Sequence, residues 1–133
     1  MKVLTSVQKG DRVIASYKTG TYIGEVVDLG QSKAAVQVLA VLKHPEQGDL
    51  HHPHETEVAI FHQRRALSHR EIANMPLSTL RIYTGNDIPD YKESLANALN
   101  TEIEGLEAAV KYAQQALLHL NGLRSDYNLD NRE

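Results

Sequence analysis

The stretch DRVIASYKTGTYIGEVVDLG, Asp11 to Gly30, decides the fold. Val13, Ala15 and Tyr17 share one face of an extended run, and a second β-rich run, Tyr22-Ile23-Gly24-Glu25-Val26-Val27, follows a turn at Thr19-Gly20. Two such runs joined by a short Gly-containing turn predict a hairpin. Gly24 in mid-strand marks a bulge or sharp bend, as a small curled barrel needs. Downstream, KAAVQVLAVLKH alternates Ala34, Val36, Val38, Ala40 and Leu42, with apolar Leu39 and Val41 between them. A run apolar on both faces predicts a long interior strand. ETEVAIF then opens a further strand, with Val58, Ile60 and His62 on one side and Ala59 and Phe61 on the other. Residues 70–74 read as a short helical turn ended by Pro76, and LRIYTG as a last short strand. Short strands with tight turns predict a β plus α protein whose residues 1–89 form a small antiparallel, partly open SH3-like barrel.

From Asp90 the period changes, and residues 90–133 read as a C-terminal α-helical extension. Asp90 is a good N-cap, and Glu93 three positions on completes a capping-box-like start. Leu99, Ile103, Leu106, Val110, Ala113, Leu117 and Leu120 recur at steps of 4, 3, 4, 3, 4 and 3, a heptad-like seam. Residues 90–133 hold eight acidic and four basic residues, a balance of -4, against nine acidic and ten basic before them, or +1. The extension is thus an acidic amphipathic arm, with Gly105 and Gly122 as points where it could break or end. A helix from 90 to about 121 would be ~48 Å long at ~1.5 Å per residue, more than a small barrel can cover. The seam therefore needs a second helix: its own folded-back half, another copy of the chain in a homodimer, or a partner protein.

Composition narrows the function. The 133 residues carry 41% hydrophobic and 23% charged side chains and a net charge of -3, which fits a globular protein and argues against general nucleic-acid binding. With one Phe and no Trp, the core must be built from Val, Ile, Leu and Ala. The absence of cysteine excludes disulfides, thiolate metal sites, cysteine nucleophiles and S-acylation within this chain. The N-terminal MKVLTSVQKGDRV lacks the apolar core of a signal peptide, and no run of about 18 apolar residues occurs, so the expectation is a cytoplasmic protein without direct membrane insertion.

Two clusters carry candidate chemistry. KHPEQGDLHHPHE, Lys43 to Glu55, holds His44, His51, His52 and His54 around a Gly48-Asp49 turn. As a metal site, His52 and His54 would face one side of an extended chain, with Asp49 or Glu55 completing the ligands. Against this, His51 would face the other way, His44 lies across two turns, and no general base can be assigned. The preferred reading is a shaped loop whose imidazoles hydrogen-bond to backbone carbonyls and hold the Gly48-Asp49 turn, with His44, Asp49, His51 and His52 offering a partner-contact surface and no metal. The second cluster, FHQRRALSHRE, holds His62, Arg64, Arg65 and Arg70. Its arginines suit bidentate contact with phosphate or an acidic partner, and otherwise are a solvated strand end. Leu106 and Leu117 on the arm complete the candidate partner-binding set. No nucleotide loop, nucleophile elbow or paired-carboxylate motif is present, so no catalytic or cofactor-binding residue is assigned.

Four ordered blocks, YKTGTYIGE (17–25), AVLKHPEQGDLHHP (40–53), FHQRRALSHRE (61–71) and IPDYKESL (88–95), closely resemble the kinase-associated protein B family of Bacillus-like bacteria. The resemblance implies an SH3-like antiparallel barrel with an α-helical region. It also implies a non-enzymatic accessory role for a sensor histidine kinase that feeds the sporulation phosphorelay. The histidine loop is then a structural hallmark of the family. One departure stands out: family members are described as lipoproteins, and this chain has no cysteine to lipidate. Any placement at the membrane would come through the kinase. Two other readings compete. A nucleic-acid module would use Tyr17, Tyr22 and Tyr83 as stacking platforms, which acidity and the single Phe weigh against. A metal-dependent protein would use the His44–His54 loop.

Overall fold

In a computed structural model, which describes residues 7–129, the chain forms an antiparallel five-stranded sheet followed by one long helix. The strands are β1 Arg12–Tyr17, β2 Gly20–Leu29, β3 Lys33–Lys43, β4 Ile72–Pro76 and β5 Arg81–Ile82, and α1 is Tyr91–Asp126. The sheet order is β4-β3-β2-β1-β5. The sheet is not closed: β4 and β5 are its edges.

The hairpin forms as the sequence predicts, one residue earlier than expected. Tyr17 pairs with Gly20, so Lys18 and Thr19 make the turn, and Lys18 takes the left-handed conformation at φ 55°. At Gly24 the β2–β3 register slips between Ile23 and Gly24. A Cβ there would lie 2.5 Å from Val36 Cγ1 and 2.6 Å from the Gln37 carbonyl oxygen, so only glycine lets β3 approach this closely. These slips also change the phase of β3: Val41 is buried and Leu42 exposed, the reverse of simple alternation.

Two expected elements are corrected. Residues 58–61 form no strand, since nothing between β3 and β4 joins the sheet. The reason lies on the far edge of β3. Past Val38, whose N–H and carbonyl bond the backbone of Glu71 and Arg70, the Val41 N–H is taken by the Ser94 hydroxyl of α1 at 2.9 Å. That edge offers no free ladder for another strand. Residues 72–76, expected in part as a helical turn, are instead β4, paired with Lys33–Gln37. Pro76 is tolerated there because β4 is an edge strand, and a single 3-10 turn, Leu77–Thr79, follows it.

The core is made of small aliphatic residues: Val7, Val13, Ala15, Val26, Ala34 and Val36 with Met75 and Leu80. A second cluster joins Tyr22, Val38 and Val41 of the sheet to Ala98 of α1, with Leu95, Tyr91 and Leu67 against it. The start of α1 therefore belongs with the sheet, and the compact units divide between Leu99 and Asn100.

Asp90 caps α1 as expected, its carboxylate accepting the Glu93 N–H at 3.2 Å. The helix runs through Gly105 and Gly122 without a break, which removes the folded-back hairpin. It ends where Asn128 turns left-handed, φ 62°. There the Leu129 N–H bonds the Arg124 carbonyl and the Asn128 N–H that of Ser125, both at 2.9 Å, a Schellman closure with asparagine in the usual glycine place.

Candidate partner-binding site

The segment between β3 and β4 has no regular structure and is held by side chains. Gln47 acts as a bridge: its Oε1 accepts the Arg64 N–H at 2.8 Å, and its Nε2 donates to the Arg64 carbonyl at 2.9 Å and the Pro45 carbonyl at 3.1 Å. Next to it the Gly48 N–H donates to the His62 carbonyl at 2.8 Å, and Arg64 Nε donates to the Gly48 carbonyl at 3.2 Å. Gly48 is left-handed at φ 102° and lies against the Phe61 ring, so a larger residue would be both strained and crowded. The β1–β2 turn anchors the same segment, with Thr19 Oγ1 accepting the Glu46 N–H at 2.8 Å.

The histidines serve the loop. His44 Nδ1 donates to the Pro45 carbonyl at 2.9 Å. Asp49 accepts the His51 N–H at 2.9 Å on Oδ1, and its Oδ2 lies 3.2 Å from His52 Nδ1. The His51 N–H, then the His52 ring, hold the Asp49 carboxyl below its usual range. His54 is left-handed, φ 68°, so residues 51–54 are a turn and not the extended run that a His52–His54 ligand pair needs. Among the described residues no group of three or more His, Asp or Glu comes together to hold a metal ion.

Where the segment returns toward β4, two tyrosines grip Leu67. The Tyr22 hydroxyl accepts the Leu67 N–H at 3.2 Å, and the Tyr91 hydroxyl donates to the Leu67 carbonyl. Burial pushes both phenols above the ordinary tyrosine value. The Leu67 N–H opposes this at Tyr22, and the Glu71 carboxylate adds to it at Tyr91. His69 stacks on Tyr91 with ring centroids 5.2 Å apart.

These ties open a cleft of about 300 Å³ lined by Tyr17, Lys18, Tyr22, Pro45, Gln63, Arg64, Arg65 and Leu67. It has an apolar and aromatic floor, three cationic side chains and no carboxylate. Lys18 Nζ sits 5.6 Å over the Tyr17 ring. Of the residues singled out from sequence, the structure brings Arg64 and Arg65 to this cleft. His44, Asp49, His51, His52 and His62 do not line it, and Leu106 and Leu117 are exposed on α1. Sequence reading missed Lys18 and the structural part of Gln47. The signal for Lys18 was its place between Tyr17 and the turn; Gln47 had none.

Comparison with known proteins agrees with this architecture. The family model for kinase associated protein B matches residues 17–128. The chain belongs to the kinase-associated protein B family. The kinase-associated lipoprotein B of Bacillus subtilis (strain 168) is 39% identical over 125 residues, covering 93% of this chain and 97% of its own. The crystal structure of kinase-associated protein B from Bacillus cereus is 41% identical, with a TM-score of 0.66, covering 93% of this chain and 100% of its own. The Bacillus subtilis relative is named a lipoprotein, whereas this kinase-associated protein B family member has no cysteine. Among the described residues no helix is long and apolar enough to cross a membrane.

Proposed function

We propose that this family member is a non-enzymatic accessory protein of a sensor histidine kinase feeding the sporulation phosphorelay. It works in the cytoplasm and reaches the membrane through that kinase. The relatives' names point to a kinase, and the cleft supplies the chemistry: Lys18, Arg64 and Arg65 around Tyr17 and Tyr22, with no acidic lining residue. Such a cleft fits an acidic segment carrying an apolar side chain. Arginine forks take carboxylates bidentately, and the tyrosines bury the apolar part.

The test is a binding titration of the full chain against the cytoplasmic region of the kinase, with Lys18→Glu/Arg65→Glu as the variant. Arg64 is left intact because its Nε holds the Gly48 carbonyl. Reversing two charges should weaken binding by at least about tenfold and flatten its salt dependence. Unchanged affinity would remove the cleft as the docking face, and no affinity in the unaltered chain would remove the kinase role.

A further inference from the structure

Beyond Leu99, α1 exposes a continuous apolar seam. Leu106 is 57%, Leu117 58% and Leu120 60% exposed, and Ile103 and Val110 on the same seam are exposed too. Written as a heptad, Ile103, Val110, Leu117 and Arg124 are a positions, and Leu99, Leu106, Ala113 and Leu120 are d positions. A helix with such a seam reaches a packed state by pairing with another helix. The continuity of α1 rules out its own second half.

We propose that the seam pairs with the same seam of a second copy, running antiparallel, with Leu106 of one copy facing Leu117 of the other. Three juxtapositions decide the direction. In a parallel, in-register pair, Ala113 would face Ala113 and leave a void at the centre. Arg124 would face Arg124 at an a position. Glu102, at g, would lie beside Glu107, at e, of the other helix, setting two carboxylates together along the rim.

Antiparallel pairing removes all three faults. The facing layers become Ile103 with Leu120, Leu106 with Leu117, and Val110 with Ala113, so each small residue meets a larger one. Arg124 meets Leu99 and comes within a helical turn of Glu102 of the second copy, an opposite charge. At the rim, Glu102 lies beside Leu123 and Glu107 beside Gln114, and no like charges are opposed. Gly105 and Gly122 fall at c and f positions, outside the contact. This pairing stands independently of what docks in the basic cleft.

Sedimentation equilibrium of the full chain should give a dimer. Two double variants then read the direction. Leu106→Asp/Leu117→Lys places a new carboxylate opposite a new ammonium in the antiparallel pair, and like charges opposite each other in a parallel one. Leu106→Asp/Leu117→Asp opposes like charges in both. The Asp/Lys variant should dimerise at least about tenfold more tightly than the Asp/Asp variant. Both carry two charged groups on the same seam, so a general loss of helix would affect them alike. A monomeric parent chain, or two variants equally unable to dimerise, would overturn the proposal.

Discussion

Ser94 shows how one hydroxyl can settle a sheet edge. It is 6% exposed, accepts the Val41 N–H at 2.9 Å and donates to the Tyr91 carbonyl at 2.8 Å. The donor and the acceptor are both main-chain groups, and Val41 is 2% exposed, so water cannot replace the serine easily. Ser94→Ala should cost about 1–3 kcal/mol, the usual penalty for a buried N–H left without a partner. Thermal or urea unfolding measures it; an unchanged midpoint would mean that Val41 finds another acceptor. Gly24 is the complementary case: there the absence of a side chain lets Gln37 and Val36 close in. The need for glycine was legible from its place inside a β-rich run. Ser94 was not legible, because a serine in the first turns of a helix is ordinary and its partner is distant in sequence.

At the scale of elements, legibility followed local periodicity. The hairpin, β3 and the capped start of α1 each carry a repeat or cap within a few residues, and each forms. The Val58–Phe61 run carries the same alternation and forms no strand. A strand needs an open edge as well as a pattern, and Ser94 and Glu71 occupy that of β3. The cleft was half legible: its arginines stand out in composition, but the Gln47 bridge that places Arg64 depends on contacts that no spacing rule encodes. Within α1, Gly105 and Gly122 look like breakers, yet the helix passes through both. The ends are fixed instead by the Asp90 cap and the Asn128 closure. Both glycines therefore weaken the helix for no steric return, as nothing lies within 4 Å of an added Cβ at either. Gly105→Ala should stabilise the arm by about 0.5–1 kcal/mol, since alanine pays less backbone entropy in a helix. Amide hydrogen exchange of residues near 105 reads this locally; faster exchange in the variant would show that the glycine serves a contact.

For the molecule as a whole, the two phenols around Leu67 join the sheet, the strand-free segment and the start of α1. Tyr22 belongs to β2, Tyr91 to α1, and Leu67 to the segment between β3 and β4. Both phenols sit above the ordinary value of 10.0, chiefly because burial disfavours the phenolate. Their raised folded-state values mean that the neutral forms favour folding. This contribution is fully present below pH 10.0, the ordinary value, and is lost as pH rises through the higher folded values. Ionising Tyr91 also removes the donor to the Leu67 carbonyl and sets a new negative charge against that oxygen and near Glu71. An alkaline titration that follows phenolate absorbance and unfolding together reads this. Tyr22 and Tyr91 should ionise only above the ordinary value, together with unfolding. Tyr91→Phe should make the alkaline fall in stability shallower while lowering stability at neutral pH, through the lost hydrogen bond. If Tyr22 and Tyr91 ionise while the protein stays folded, or the variant falls as steeply as the parent, the phenols are not what ties these elements together.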